Sequence, residues 1–363
     1  MSLAGARGLI LLSRSSCDWL AAMVADRVDE REFYARVTGE KYAGEYGLQR
    51  SATQRGIRFE KRLYANDGAE LRRILSALCG VAPEQMKVQN FAAAHVTEIV
   101  QARRDNLAAM RRILTRLRDG MPVPHLIIQP QLLLPVGEHD ARYISPDFML
   151  LVGAGRDRRY ICGEIKSHIL QEGMAAPPDR QRARLQAAVE TMALQAELDR
   201  LGTGGSAVDQ ANRAIFVYAS PYGLSPAPPV VEQLEAEVHE IRRATLRLTD
   251  VLSRLRQLRE GQDVPLQRLL PQLTPHYVES CPSICLLADT CKQRITGRGQ
   301  ALGDNAASML GYEADLTRLS SLLDNGVPAE ECSGAELDFI EQMRSLLPCV
   351  DAGPAGPVSG RGD

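Results

Sequence analysis

Aromatic side chains are scarce in this sequence: one Trp, six Phe and ten Tyr, 5% of the chain. A surface that grips its ligand by a row of stacked rings is therefore not expected. Charge of one sign is lacking too. Lys and Arg number 43 against 45 Asp and Glu, a net charge of −2. No global basicity advertises a polyanionic partner, so a nucleic-acid site has to be a local basic groove. No apolar run reaches membrane length. The N-terminal one, Leu9-Ile10-Leu11-Leu12, is too short to span, and no convincing small-residue cleavage site follows it. The expectation is a cytoplasmic protein with no membrane partner, whose eight cysteines are reduced thiols or metal ligands rather than disulfides. Internal repeats are absent, which excludes a solenoid or propeller.

What is present changes character along the chain. Residues 1 to about 120 carry helical periodicity. Ser16-Cys17-Asp18-Trp19 reads as a helix start, Arg55 to Leu63 as part of a second helix, and Glu98 to Leu117 as a third, rich in Arg. Extended runs follow at His125 to Val136, Arg142 to Val152 and Arg159 to Lys166, separated by turns at 137–140 and 153–157. Short turns between consecutive strands predict an antiparallel meander. A helix from about Asp179 to Leu201, a Gly/Ser loop and a strand at Arg213 to Ser220 come next. After Pro226 to Pro229 a long helix is expected to about Glu260. The fold class is thus α/β (α+β), a mixed sheet of order β-β-β-α-β flanked by helices. The domains expected are a helical part over 1–120, a core with a cysteine cluster over 121–295, a helical tail over 296–349 and a disordered end over 350–363. The closing Arg361-Gly362-Asp363 imitates an adhesion tripeptide by chance.

The chemistry-bearing residues lie on the second and third expected strands. Pro146-Asp147 is on one and Glu164-Ile165-Lys166 on the other. Side chains alternate along a strand, so Glu164 and Lys166 share a face while Ile165 turns to the core. Pairing through the 153–157 turn brings Asp147 alongside Glu164. Two carboxylates and an ammonium then converge where a hard cation can sit. Mg²⁺ or Mn²⁺ takes oxygen ligands, which Asp147, Glu164 and the Ile165 carbonyl can supply. Such an ion neutralises a phosphodiester and lowers the pKa of an attacking water, and Lys166 beside it orients that water or stabilises developing charge. The competing reading is an ordinary surface charge pair.

Taken with their neighbours, these residues resemble the PD-(D/E)XK nuclease superfamily, and within it the RecB-like branch of CRISPR-associated exonucleases and helicase–nuclease subunits. The resemblance covers Cys17 through Cys291. Arg55-Gly56-x-x-Phe59-Glu60 is similar to the first motif, Asp147 to the second, Glu164-x-Lys166 to the third, and Leu185-Gln186 through Glu190 to the Gln-x-x-x-Tyr motif. The branch usually has His where Glu60 stands and Tyr where Glu190 stands; Gln181 and Gln195 are alternatives for the motif's Gln. The resemblance implies a restriction-endonuclease-like core and DNA hydrolysis. In it, Asp147, Glu164, Lys166 and Gln186 are catalytic, and Glu60, Asp147, Glu164 and Ile165 hold metal. It further implies single-stranded or branched DNA ends as substrate and a helicase or defence-system partner. A restriction-like endonuclease, a catalytically degenerate DNA-binding or scaffold subunit and a zinc-stabilised interaction module are the rival readings.

Cys281-x₃-Cys285-x₅-Cys291 gathers three thiols within eleven residues. Such a group asks for a fourth ligand and a zinc or iron–sulfur centre, against the plainer reading of buried apolar cysteines. The same resemblance implies a 4Fe–4S cluster on Cys17, Cys281, Cys285 and Cys291, with zinc as the alternative. Cys79, Cys162, Cys332 and Cys349 are expected to be ordinary thiols. Two Arg-rich helices, around 103–118 and 242–259, can each track a nucleic-acid backbone or form solvated faces. His168, two residues past Lys166, could touch a phosphate, although a lone His after a strand is more often incidental. The segment between Glu60 and Asp147 is expected to build a helical cap over the cleft.

Overall fold

Alternation and turn chemistry decide the sheet. Six strands form it in the order β1-β2-β5-β6-β7-β8: β1 (Val88–Asn90), β2 (Leu126–Ile128), β5 (Phe148–Val152), β6 (Arg159–Ile169), β7 (Arg213–Ala219) and β8 (Val230–Gln233). A separate antiparallel hairpin joins β3 (Leu132–Val136) to β4 (Asp140–Ile144). This computed structural model describes residues 3–15, 17–41, 47–92, 99–138, 140–169, 177–202, 212–221, 223–273, 275–277, 281, 285–295 and eight isolated positions between 315 and 341. Apart from those eight positions the expected tail lies outside the described residues, as do the terminal 350–363, Cys332, Cys349, Ser16, Glu98, His139, Pro282 and the loop at 203–211. Contacts divide the chain into two compact units, Met1–Gln272 and Leu273–Asp363.

The architecture is a mixed sheet with helices on both faces. β2, β5 and β6 run antiparallel in succession, the expected meander, while β6 and β7 are parallel through a helical crossover. Each of the first two expected strands is in fact two. The run from His125 breaks at Gln129, whose φ of 48° is left-handed, followed by Pro130; that from Arg142 breaks before β5, at Pro146. Proline supplies no N–H for a ladder, so the outer halves leave the sheet and pair with each other. The segment between Glu60 and Asp147 is likewise no mere cap, since it contributes β1 and β2 to the sheet and the β3–β4 hairpin.

Helices α1 (Ala6–Ser13), α2 (Asp18–Ala25) and α3 (Glu30–Thr38) precede α4 (Gly47–Cys79), whose helical geometry is interrupted over Ala65–Gly68. Gly56, Phe59, Glu60 and Leu63 recur on α4 at the spacing of one helix stripe. Phe59 and Leu63 are fully buried with Phe148, Leu150, Ile161, Ile165, Ile215 and Val217 of the sheet. By alternation, Glu164, Lys166 and Cys162 face the other side, covered by α6 (Pro177–Arg200). That helix is apolar on no single side because it is enclosed between the sheet, the β3–β4 hairpin, α1 and α7 (Glu235–Arg259). Ala183, Ala187, Ala188 and Ala193 let these neighbours approach. In the second unit, Tyr277, Cys281, Ala288 and Cys291 form a small buried cluster at the helix Ala288–Ile295. No helix of the described residues is long and apolar enough to cross a membrane.

One close approach fixes the register beside Asp147. Phe148 pairs with Gly163, and a Cβ added to Gly163 would stand 2.1–2.5 Å from three atoms of the Phe148 ring. Gly163→Ala therefore forces the ring or the strand aside. Overpacking of this kind costs about 1–3 kcal/mol, so urea denaturation should show a lower midpoint; an unchanged midpoint would mean the ring moves freely.

Candidate active site

β5 and β6 pair from Val152↔Arg159 to Phe148↔Gly163 and no further. One step beyond, Asp147 faces Glu164 across the opening seam. There the Ile165 N–H, which has lost its strand partner, donates to Asp147 Oδ2 at 2.7 Å. The N–H and C=O of one strand residue leave by the same edge, so the Ile165 carbonyl also faces this opening. Asp147 is held at its other end too: its carbonyl accepts from the Gln129 amide at 3.0 Å and from the Tyr64 hydroxyl at 3.3 Å. The left-handed turn at Gln129 thus aims an otherwise free amide at the residue before β5.

The other expected residues meet here. Lys166 Nζ contacts Glu164 Oε1 and donates to Gln186 Oε1 at 3.0 Å. Gln186 Nε2 donates in turn to Glu190 Oε1 at 3.3 Å. Gln195, by contrast, bonds Asp199 on its own helix. Glu60 stands close enough to Glu164, Lys166 and Asp147 for their charges to act on one another. Four carboxyl groups (Glu60, Asp147, Glu164, Glu190) therefore surround one ammonium. Glu164 has no exposed surface, and its carboxylate is met by the Lys166 ammonium and by the Glu190 carboxyl rather than by a backbone donor.

Burial and mutual repulsion set the protonation. Burial, then the neighbouring Glu164, holds Asp147 well above the usual carboxylate range. The same causes raise Glu190 strongly, and burial raises Glu60. For Lys166, burial favours the neutral amine, but Glu164 and Asp147 together outweigh it and the net shift is upward. The lysine is thus a firmly charged donor rather than a base. Cys162, on the same face, is pushed up by burial and by Glu190, so it is an inert thiol.

Tyr64 and the burial of Glu190 were missed by reading the sequence. Tyr64 follows Glu60 by one helical turn, which was the available signal. Of the α5 arginines (α5 is Ile99–Arg118), Arg111 makes a two-point pair with buried Glu197 at 2.8 and 3.0 Å. On α7, Arg247 and Arg254 both reach Asp18 at 3.3 Å, and Arg259 pairs with Asp26. These are ties between helices, so half of the α7 stretch serves the fold, whereas on α5 only Arg111 and Arg118, which donates to the Leu201 carbonyl, are so engaged. Arg103, Arg104, Arg112 and Arg116 remain exposed on α5.

Among the expected cluster ligands, Cys17 is buried at the start of α2 in the first unit. In the second unit Cys281 and Cys291 share the buried cluster, and the Cys285 amide donates to the Cys281 carbonyl at 2.8 Å. Comparison with known proteins adds no relative: no protein-family model, no curated protein and no solved structure matches this chain.

The Glu190 shift carries a pH dependence. A carboxyl raised in the folded state binds its proton more tightly there than in the unfolded chain. The resulting stability is complete below the ordinary value of 4.5 and is lost as pH rises toward the raised one. Glu190→Gln removes the charge and offers Glu164 an amide donor. Its melting temperature should exceed wild type at pH 8, in EDTA, by the equivalent of about 1–3 kcal/mol, and the gap should shrink at pH 4.5. A gap that is larger at pH 4.5 would contradict this.

Proposed function

We propose that the chain is a metal-dependent DNA nuclease of the PD-(D/E)XK type, RecB-like in its motif order, with a restriction-endonuclease-like core. One observation carries the reading: Glu60, Asp147, Glu164, Lys166 and Gln186, spread over 127 positions of sequence, meet at the point where β5 parts from β6. Surface charge pairs have no reason to be buried together at the cost of their hydration.

The donor set fits a hard divalent cation. A fully buried carboxylate whose contacts are one ammonium and a second carboxyl, as on Glu164, is a group that Mg²⁺ or Mn²⁺ could bind. Among the described residues no three His, Cys, Asp or Glu side chains are already grouped to hold a metal; the cation touching Glu164 is Lys166. Asp147, Glu164, Glu60 and the Ile165 carbonyl would hold the ion, which when bound would supply charge neutralisation and water activation at the phosphodiester. Lys166, held protonated by the surrounding carboxyls, would donate to the attacking water or to a phosphate oxygen. Gln186 keeps its ammonium on line. Tyr64 and Gln129 hold Asp147 by its backbone, and burial of Glu164 keeps competing water away.

Single-stranded or branched DNA ends in the cytoplasm, with a helicase or defence-system partner, are the setting that the motif order suggests. A 4Fe–4S cluster on Cys17, Cys281, Cys285 and Cys291, or zinc in its place, belongs to the same proposal; the shared burial of Cys281 and Cys291 supports it. A degenerate DNA-binding subunit is the second reading, favoured by the Lys166–Glu164 contact and by Glu190 in the place of a tyrosine.

End-labelled single-stranded DNA and closed circular DNA, incubated with Mg²⁺, Mn²⁺ or EDTA, test the reading. Wild type should cleave only with metal, and Lys166→Ala should lose about 10²–10³ in rate. Binding without cleavage under any metal supports the degenerate subunit instead. Elemental analysis of the purified protein should find iron, lost in Cys291→Ser; equal metal content in both proteins removes Cys291 from the ligand set.

A further inference from the structure

The far end of β6 carries polar groups that hydrolysis does not use. Pairing with β7 runs in register to Lys166↔Tyr218 and resumes at Ile169↔Ala219, leaving Ser167 and His168 without partners on β7. Bulges of this kind re-aim side chains and are frequent beside active sites. Ser167 Oγ lies against α4, where a Cβ on Gly56 would stand 3.7 Å away. His168 Nδ1 lies 3.4 Å from Asp179 Oδ2 near the start of α6.

Two arginines border this bulge. Arg55 precedes Gly56 on α4, and Arg182 is exposed on α6. Both act, with Lys166, on the charge of His168; burial is the larger influence on that imidazole and lowers its pKa, while Asp179 opposes. The Arg55 Nε–H is buried and meets no acceptor, and among the described residues neither arginine forms an ion pair. A buried donor left unmet costs about 1–3 kcal/mol, and such groups mark places where a ligand completes the bonding.

We infer that Arg55, Ser167, His168 and Arg182 form a phosphate-binding subsite beside the carboxylate–lysine centre. Guanidinium forks, a hydroxyl and an imidazole present the donors that a multi-oxygen anion accepts. The placement answers an electrostatic need, because four clustered carboxyl groups repel a nucleic-acid strand and flanking cations must hold it there. Arg55 precedes Glu60 by five residues, about 7.5 Å of helix, so one strand reaches both. The ligand's identity as a nucleic-acid phosphate rests on the nuclease reading; the anion site rests on the bulge and the unmet donor. The phosphate is either an internal phosphodiester or a terminal monoester.

Fluorescence anisotropy distinguishes these, using labelled single-stranded oligonucleotides with a 5′-phosphate, a 3′-phosphate or neither, in EDTA. Arg55→Gln and Arg182→Gln should each weaken binding about tenfold and lower the salt slope by about one, while Arg55→Lys should keep the salt slope but still lose affinity, because an ammonium lacks the fork and its Nε–H. Loss on all oligonucleotides assigns an internal phosphodiester; loss confined to one phosphorylated end assigns that terminus. Arg58→Gln, which removes the same charge from an exposed site on α4, should have little effect. Unchanged affinity in both Gln variants, or an equal loss in Arg58→Gln, overturns the subsite. Calorimetric titration with inorganic phosphate separates the two claims: uptake by wild type that disappears in Arg55→Gln, in a protein that cleaves nothing, keeps the subsite and discards the nuclease.

Discussion

Where β5 parts from β6, a backbone amide that should bind a strand binds a side chain. The Ile165 N–H to Asp147 Oδ2 bond, 2.7 Å long, closes the end of the ladder that a buried sheet cannot leave open. It also sets the spacing of everything else. Asp147 is drawn to the level of Glu164, the Ile165 carbonyl faces the same opening, and Lys166 emerges one residue later on the Glu164 side. A structural requirement of the sheet and the assembly of the site are therefore one event.

The remaining elements bring charge to that event from opposite faces. α4 packs Phe59 and Leu63 into the core and carries Glu60 with them. α6 is packed among the sheet, the β3–β4 hairpin, α1 and α7, so buried Glu190 and half-buried Gln186 find partners at Glu164 and Lys166. Buried carboxyls in this number destabilise the fold unless protons, Lys166 or a cation offset them. Elsewhere in the first unit each buried glutamate has an arginine: Glu197 has Arg111 and Arg200, Glu237 has Arg184, and Glu30 has Arg7. The excess is confined to the seam.

Much of this was legible in the sequence, because the decisive signals were local. The alternation around Glu164-Ile165-Lys166 placed the acid and the ammonium on one face, and the short 153–157 turn placed Asp147 opposite. The helix stripe through Gly56, Phe59 and Glu60 was equally visible. Strand boundaries were not. Nothing in the apolar run from His125 announces a left-handed Gln129, and only the prolines at 130 and 146 hint that two long strands are four short ones. β1 and β8, three and four residues long, carry too little pattern to be seen. Tyr64 and Glu190 escaped because their roles depend on burial from three directions, which is a tertiary fact. Mixed α/β architecture follows from the strands that were seen; the six-strand order does not.

The central claim is that the buried carboxyl excess at the seam exists to bind a divalent cation. Titration of Mn²⁺ into the folded protein, read by electron paramagnetic resonance, addresses it without reference to turnover. The account predicts saturable binding to wild type that is lost in Asp147→Asn and weakened in Glu60→Gln, with both variants folded. Equal Mn²⁺ affinity in wild type and Asp147→Asn, or no binding by any of the three, would contradict it.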